Sequence, residues 1–177
     1  MKVDLYEKIW MWGVGVMLSL FFGSTAVAAF GGHFQPPSHV ETIDPATVLK
    51  DPRFARQGVS VDGSGRVHVA VVALMYVWLP TEFTVPADWP VTFHLTSIDV
   101  THGFEIVRTN GQSMVVPGYI SQFTTRFAVG EYLIACNEYC GIGHHTMATR
   151  MHVVPAPQWQ APTAASPFTS TSEHDHE

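Results

Sequence analysis

At 177 residues the chain is long enough for one globular domain with an appendage, and a formal net charge of −6 gives it no basic surface for nucleic acid. Charged residues make up only 14%, against a usual ~25%. Two cysteines cannot build a disulfide framework, although they could form a single bridge.

The shortage of charge begins at the N-terminus. From Ile9 to Phe30 no residue is formally charged, and Ser19, Ser24 and Thr25 supply the only hydroxyls. As a helix this run spans about 33 Å at ~1.5 Å per residue, enough for a hydrocarbon core of ~30 Å. Ala26-Val27-Ala28 resembles a signal-peptide cleavage site. Signal apolar regions are shorter, however, at ~7–15 residues, and Trp10 and Trp12 suit an interfacial belt. Residues 1–30 are therefore expected to be a retained transmembrane anchor. Lys2 and Lys8 are balanced by Asp4 and Glu7, so flanking charge says little about orientation; the long C-terminal part is expected on the outer face.

Residues 31–58 read as a linker, broken by Gly31, Gly32, Pro36, Pro37, Pro45 and Pro52. A short helix fits near Ala46–Leu49, with Asp44 as N-cap and Pro45 at the first helical position. From Val59 the texture turns to β. "RVHVAVVAL", "TEFTVP", "VTFHLTS", "HGFEIV", "GYISQFTTRFAV", "GEYLIAC" and "TRMHVVP" are short and rich in β-branched or aromatic residues, with Gly, Pro, Asn and Asp between them. This pattern predicts a mainly β domain over 59–155, an antiparallel sandwich or barrel. After Pro155 the Ala, Pro, Ser and Thr content predicts a disordered tail over 156–177, with His174 and His176 solvated. His33, His39, His68, His94 and His152 have no partner pattern and read as structural or surface residues.

Chemistry concentrates in "CNEYCGIGHHTM". Cys136, Cys140, His144 and Met147 offer thiolate, imidazole and thioether, the ligands that suit copper. The cluster follows a strand directly, and Gly141 and Gly143 let the loop fold tightly. A mononuclear blue-copper site uses two His, one Cys and a weak Met, so the second Cys points instead to two metals bridged by two sulfurs, with one terminal His each. His102, in "DVTHGFEI" at an earlier strand end, can supply the missing imidazole. A Cys136–Cys140 disulfide would leave His144 and Met147 unexplained, and zinc would not use Met. Spacing alone does not choose between His144 and His145.

"CNEYCGIGHHTM", with "DVTHGF" upstream, resembles the copper domain of subunit II of haem–copper oxidases over roughly Val67 to Pro155. The single span, "IDPATV" and "TSIDVTHGFEI" are most similar to the B-family, the cytochrome ba-type oxidases. The resemblance implies a cupredoxin Greek-key β-barrel carrying the binuclear copper centre CuA, behind one N-terminal transmembrane helix. It implies Cys136 and Cys140 as bridging thiolates, His102 and His144 as terminal ligands and Met147 as a weak axial ligand. The backbone carbonyl of Glu138 would be the other weak ligand, and His145 falls outside the pattern. B-family members carry an amide where this chain has Glu138; the A-family carboxylate there helps bind magnesium at the boundary with subunit I, so Glu138 is either a magnesium ligand or an exposed carboxylate.

The function so implied is electron transfer within cytochrome c oxidase. A c-type cytochrome or similar small carrier would donate electrons, and haem in subunit I would receive them for oxygen reduction. Tyr76 and Trp78, at alternate positions of "LMYVWLP", are candidates for electron uptake or else for core packing. Asp99 could support His102 by a hydrogen bond or serve only as a turn residue, and Phe104 should pack the copper loop. Two other readings exist for the motif. A copper chaperone or storage module would use fewer ligands, and a nitrous oxide reductase would attach the motif to a large propeller domain that has no counterpart in this sequence.

Overall fold

The computed structural model describes residues 4–31, 41–163 and 165–168. His33, His39, His174 and His176 lie outside them, as does the Pro36-Pro37 part of the expected linker. The chain divides into an N-terminal helical unit and a β unit that begins near residue 40.

Helix α1 (Leu5–Phe30) is long and apolar enough to cross a membrane, and none of its residues is buried. Its start is a capping box: Asp4 accepts from the Tyr6 N–H while Glu7 accepts from the Asp4 N–H, satisfying donors that the first turn leaves free.

Among the described residues the β unit has eleven strands. They are β1 (Glu41–Thr42), β2 (Gly58–Val61), β3 (Val67–Leu74), β4 (Val77–Leu79), β5 (Glu82–Pro86), β6 (Val91–Ser97), β7 (His102–Ile106), β8 (Gln112–Val115), β9 (Tyr119–Thr125), β10 (Gly130–Cys136) and β11 (Ala148–Val154). One sheet runs β1-β9-β6-β3-β2 with β4 on β3; the other runs β5-β11-β10-β7-β8. The pairings are antiparallel except β3 with β6 and β5 with β11, so the expected antiparallel sandwich carries one parallel pair in each sheet. This is the cupredoxin-type, mainly β arrangement that the resemblance implies, with one N-terminal apolar helix.

Alternation fills the space between the sheets. Val67, Val69 and Val71 of β3 meet Val91, Phe93 and Leu95 of β6, with Phe104, Ile106, Ile134, Met151 and Val153 from the facing sheet. Phe93 stacks on Phe123 at 5.0 Å and lies 5.7 Å from Phe104. Each such side chain contributes about 1.5–3 kcal/mol by leaving water.

The other face of β3 is buried too, which explains why its sequence becomes continuously apolar. Its cover comes from the segments expected to be linker and tail. Val48 and Phe54 are fully buried there with Ile43, Ala70, Val72, Ile120 and Phe168. The expected helix near Ala46–Leu49 is a turn capped by Asp44, which accepts from the Ala46 N–H, followed by a 3-10 turn at Val48–Lys50. Residues 41–58 are thus part of the β unit. Likewise the C-terminal stretch does not leave the fold at residue 156: it forms a 3-10 turn, then a parallel bridge from Ala165 to Val61, and buries Phe168.

Candidate metal centre

Three elements converge at one end of the sandwich. Strand β10 delivers Cys136, the loop to β11 delivers Cys140, His144 and Met147, and β7 opens with His102. Loop closure is set by backbone bonds: the Cys136 N–H donates to the Met147 carbonyl at 3.0 Å, and the Asn137 N–H donates to the Gly103 carbonyl at 3.0 Å. His144 starts a 3-10 turn, His144–Thr146, which presents its ring inward and leaves His145 exposed.

The donor atoms fall into a paired pattern. Both thiols are free, buried and 3.8 Å apart. Two sulfurs at about 2.3 Å from one tetrahedral metal stand about 3.8 Å apart, so this separation suits shared metal ligation. Around Cys136 Sγ lie His102 Nδ1 at 3.9 Å and the Glu138 carbonyl oxygen at 3.1 Å. Around Cys140 Sγ lie His144 Nδ1 at 3.7 Å and Met147 Sδ at 3.8 Å. Each sulfur therefore has its own imidazole and its own weak donor. The metal-binding atoms of His102, Cys136 and Cys140 all lie within 4.8 Å of one another.

Without a metal, the site keeps its Cys140 thiol protonated at neutral pH. Burial first, and then the neighbouring Cys136, push the Cys140 thiol up to about 11, so metal binding at this sulfur displaces a proton. Asp99 is the counterpart. Its Oδ1 accepts from His102 Nε2 at 2.9 Å, and its Oδ2 accepts from the Met75 N–H at 2.6 Å. Burial would raise its pKa, but the bonds from His102, Val100, Met75 and Ser97 outweigh that and hold the carboxyl below its ordinary value.

The aromatic residues sort by depth. Trp78, in β4, is buried edge-on to His102 at 5.9 Å and to Phe104 at 5.3 Å. Phe104 is fully buried and pairs in register with Cys136. Tyr76 lies in the turn between β3 and β4 rather than in the strand, and its ring rests on the ligand loop. A Cβ at Gly143 would come within 2.3 Å of that ring, and one at Gly141, where φ is +132°, within 2.5 Å of its hydroxyl. Both glycines are thus required by close approach, one also by backbone conformation.

Sequence reasoning missed the rim. Tyr139, 73% exposed, packs against His144 at 5.9 Å, and Ile142 is 90% exposed. Val100 and Met114 are exposed beside them, and with Tyr139, Cys140 and Glu138 they line a shallow depression over the site. The available signal was two large apolar residues inside a ligand loop, where they have no core to enter.

Residues 67–154 match the family model for the periplasmic domain of cytochrome c oxidase subunit II. A cytochrome c oxidase subunit 2 of Thermus thermophilus is 36% identical over 149 residues, covering 80% of this chain and 88% of that protein. A second Thermus thermophilus subunit 2 is 38% identical over 117 residues, covering 63% of this chain and 85% of that protein. Among solved structures, a chain of a haem–copper terminal oxidase dimer determined by cryo-EM superposes with a TM-score of 0.58 at 28% identity, covering 84% of this chain and 99% of that one.

Proposed function

This chain belongs to the cytochrome c oxidase subunit II family and serves as the electron-transfer subunit of a haem–copper oxidase, and we propose that its donor cluster holds two copper ions. The observation that carries this reading is the paired arrangement of the two free thiols, 3.8 Å apart, each with its own imidazole and weak donor. Cys136 and Cys140 would bridge, His102 and His144 would terminate, and Met147 and the Glu138 carbonyl would be weak ligands. Bound copper supplies one-electron redox chemistry and no bond making or breaking.

In this role the protein's contribution is a rigid, largely dry setting. The bond from His102 Nε2 to Asp99 fixes which ring nitrogen faces the sulfurs, and Trp78 and Phe104 exclude water from that side. The chain accepts electrons from a c-type cytochrome or similar small carrier and delivers them to haem in subunit I. Tyr76, whose ring rests on the copper loop, and Trp78, edge-on to His102, would serve electron uptake. The exposed apolar rim of Val100, Met114, Tyr139 and Ile142 suits docking of that carrier, because its apolar side chains face solvent and Tyr139 packs against His144. Helix α1 anchors the chain, with the β unit on the periplasmic or extracellular face. Glu138 is exposed, so its side chain can reach a magnesium ion shared with subunit I.

Reconstituting the full chain with copper in detergent tests the reading. A purple protein whose EPR spectrum shows one unpaired electron shared by two copper nuclei is expected. A colourless protein, or the hyperfine pattern of a single copper, would overturn it.

A further inference from the structure

Away from the metal centre, two histidines are buried on the outer face of the first sheet. His68 of β3 and His94 of β6 are 5% and 4% exposed, and His68 Nδ1 lies 3.0 Å from His94 Nε2. The far nitrogen of His68, Nε2, lies 3.4 Å from Asp62 Oδ2, in the turn between β2 and β3. Asp62 is itself held by the N–H groups of Ser64 and Arg66 and by the Ser64 hydroxyl. On top of the pair lies Phe168, its ring 3.7 Å from that of His94 and only 7° from parallel. Among the described residues, the segment bearing Phe168 is also held by the Ala165–Val61 bridge, the bond from the Ser166 N–H to the Val61 carbonyl at 2.9 Å, the Phe168 ring edge-on to Phe54, and its burial in the cluster with Ile43, Val48 and Ile120.

The proton inventory of this relay is fixed by its geometry. His68 Nε2 faces a carboxylate and so carries a hydrogen. The short contact between His68 Nδ1 and His94 Nε2 has room for one more. The neutral pair has only these two hydrogens, which leaves His94 Nδ1 bare, and that atom is buried with no hydrogen-bond partner among the described residues. A third proton therefore ends on His94 Nδ1 whichever ring receives it, as a buried N–H beneath an apolar ring with no acceptor among the described residues. The charged groups around the pair do not relieve this. Asp62 lies beyond His68, Arg66 is bound to Asp62, and Arg53 repels a cation at His94.

We infer that the Asp62–His68–His94 relay is an acid-operated latch for the C-terminal strap: a proton taken up by the histidine pair unseats Phe168 and frees residues 165–168 from the edge of β2. The unseated state gives His94 Nδ1 access to water, which the seated state denies it. Burial, then His68 and Arg53, lower His94 from its ordinary value to about 3 in the seated state. A base whose bound-state pKa is depressed loses closure as pH falls from its free value, about 6.5, toward the depressed one. Closure should weaken by nearly tenfold per pH unit within that window.

The test is amide hydrogen exchange at Ser166 in the full chain, corrected for the intrinsic pH dependence of exchange. Protection should fall on the order of 100-fold between pH 6 and pH 4. His94→Phe keeps an aromatic partner for Phe168 without the proton site, so its protection should stay nearly level over the same range. Phe168→Ala should leave Ser166 unprotected at pH 7. It should also let His94, followed by ring NMR, titrate close to the ordinary histidine value of about 6.5. Level protection in the parent chain, an equally steep fall in His94→Phe, or the same His94 titration with and without Phe168 would each overturn the latch. Far-UV circular dichroism confirms folding of each variant, and the Phe168→Ala titration remains decisive if His94→Phe does not fold.

Discussion

The imidazole of His102 donates from Nε2 to Asp99 Oδ1 at 2.9 Å, which leaves Nδ1 as the nitrogen that faces Cys136 Sγ at 3.9 Å. The same carboxylate accepts from the Met75 N–H at 2.6 Å, so one side chain ties a proposed metal ligand to the turn that carries Tyr76. Asp99→Asn keeps the shape but removes the charge that makes His102 a stronger donor. Copper affinity should fall about 10–100-fold. The reduction potential should rise, because the oxidised centre loses more stabilisation than the reduced one. Competitive chelator titration and redox potentiometry check both. An unchanged potential would reduce Asp99 to a turn residue.

His144 and His145 are adjacent in sequence but differ in surroundings. His144 Nδ1 lies 3.7 Å from Cys140 Sγ, whereas His145 is exposed. His144→Ala should abolish the two-copper spectrum, and His145→Ala should leave absorbance and EPR unchanged. Cys136→Ser and Cys140→Ser should each abolish the shared-electron signal. Met147→Leu should retain copper with a shifted potential. Retention of the binuclear signal in Cys140→Ser would remove the bridging assignment.

The candidate donor loop was legible in sequence because its donors are close together and their side-chain types are restrictive. Asp99 was legible for a related reason: it sits three residues before His102. The strands that read clearly, such as β3, β6 and β10, are long enough to alternate, whereas β1, β2, β4 and β8 have two to four residues and carry no period. Val48, Phe54 and Phe168 lie in stretches with no helical or strand period (Val48 next to exposed Leu49), so nothing local marks them as buried, yet together they cover the outer face of β3. The His68–His94 pair was invisible for a topological reason. It depends on the parallel pairing that sets Ala70 beside His94, and no local pattern encodes a parallel register between separate strands.

Gly143 is a test of how tightly the copper loop is packed. A methyl group there would meet Tyr76 Cδ2 at 2.3 Å and Cγ at 2.7 Å, the rigid part of the ring. Gly143→Ala should cost about 1–3 kcal/mol through displacement of the ring or loop. It should also broaden the copper EPR lines. Tyr76→Ala in the same chain should recover most of the lost stability by opening that space. Failure of this rescue in thermal melts would mean that the backbone, not the ring, sets the requirement.

Phe54 measures whether the segment before β2 belongs to the domain. It is fully buried and lies edge-on to Phe168 at 5.9 Å. Phe54→Ala should destabilise the β unit by about 3–5 kcal/mol. A residue in a free linker would cost nothing. Urea unfolding monitored by tryptophan fluorescence distinguishes these outcomes.

Beside it, Arg53 bonds Asp51 through Nε at 2.9 Å and Nη2 at 2.7 Å, and also reaches Glu41. The Arg53 hydrogen bond is the largest influence on Asp51 and, against the opposing effect of burial, holds its carboxyl below the ordinary carboxylate value. A depressed carboxylate contributes stability that is complete above its unfolded pKa and is lost as pH falls through the folded one. Arg53→Met should therefore destabilise by about 1–3 kcal/mol at pH 7, since it leaves Asp51 without its partner. The gap between parent and variant should narrow once pH drops below about 4, where Asp51 takes up a proton in the unfolded chain. Paired denaturant titrations from pH 7 to pH 3 read this directly. A gap that stays constant across the range would show that Arg53 acts through packing of its aliphatic stem instead of through charge.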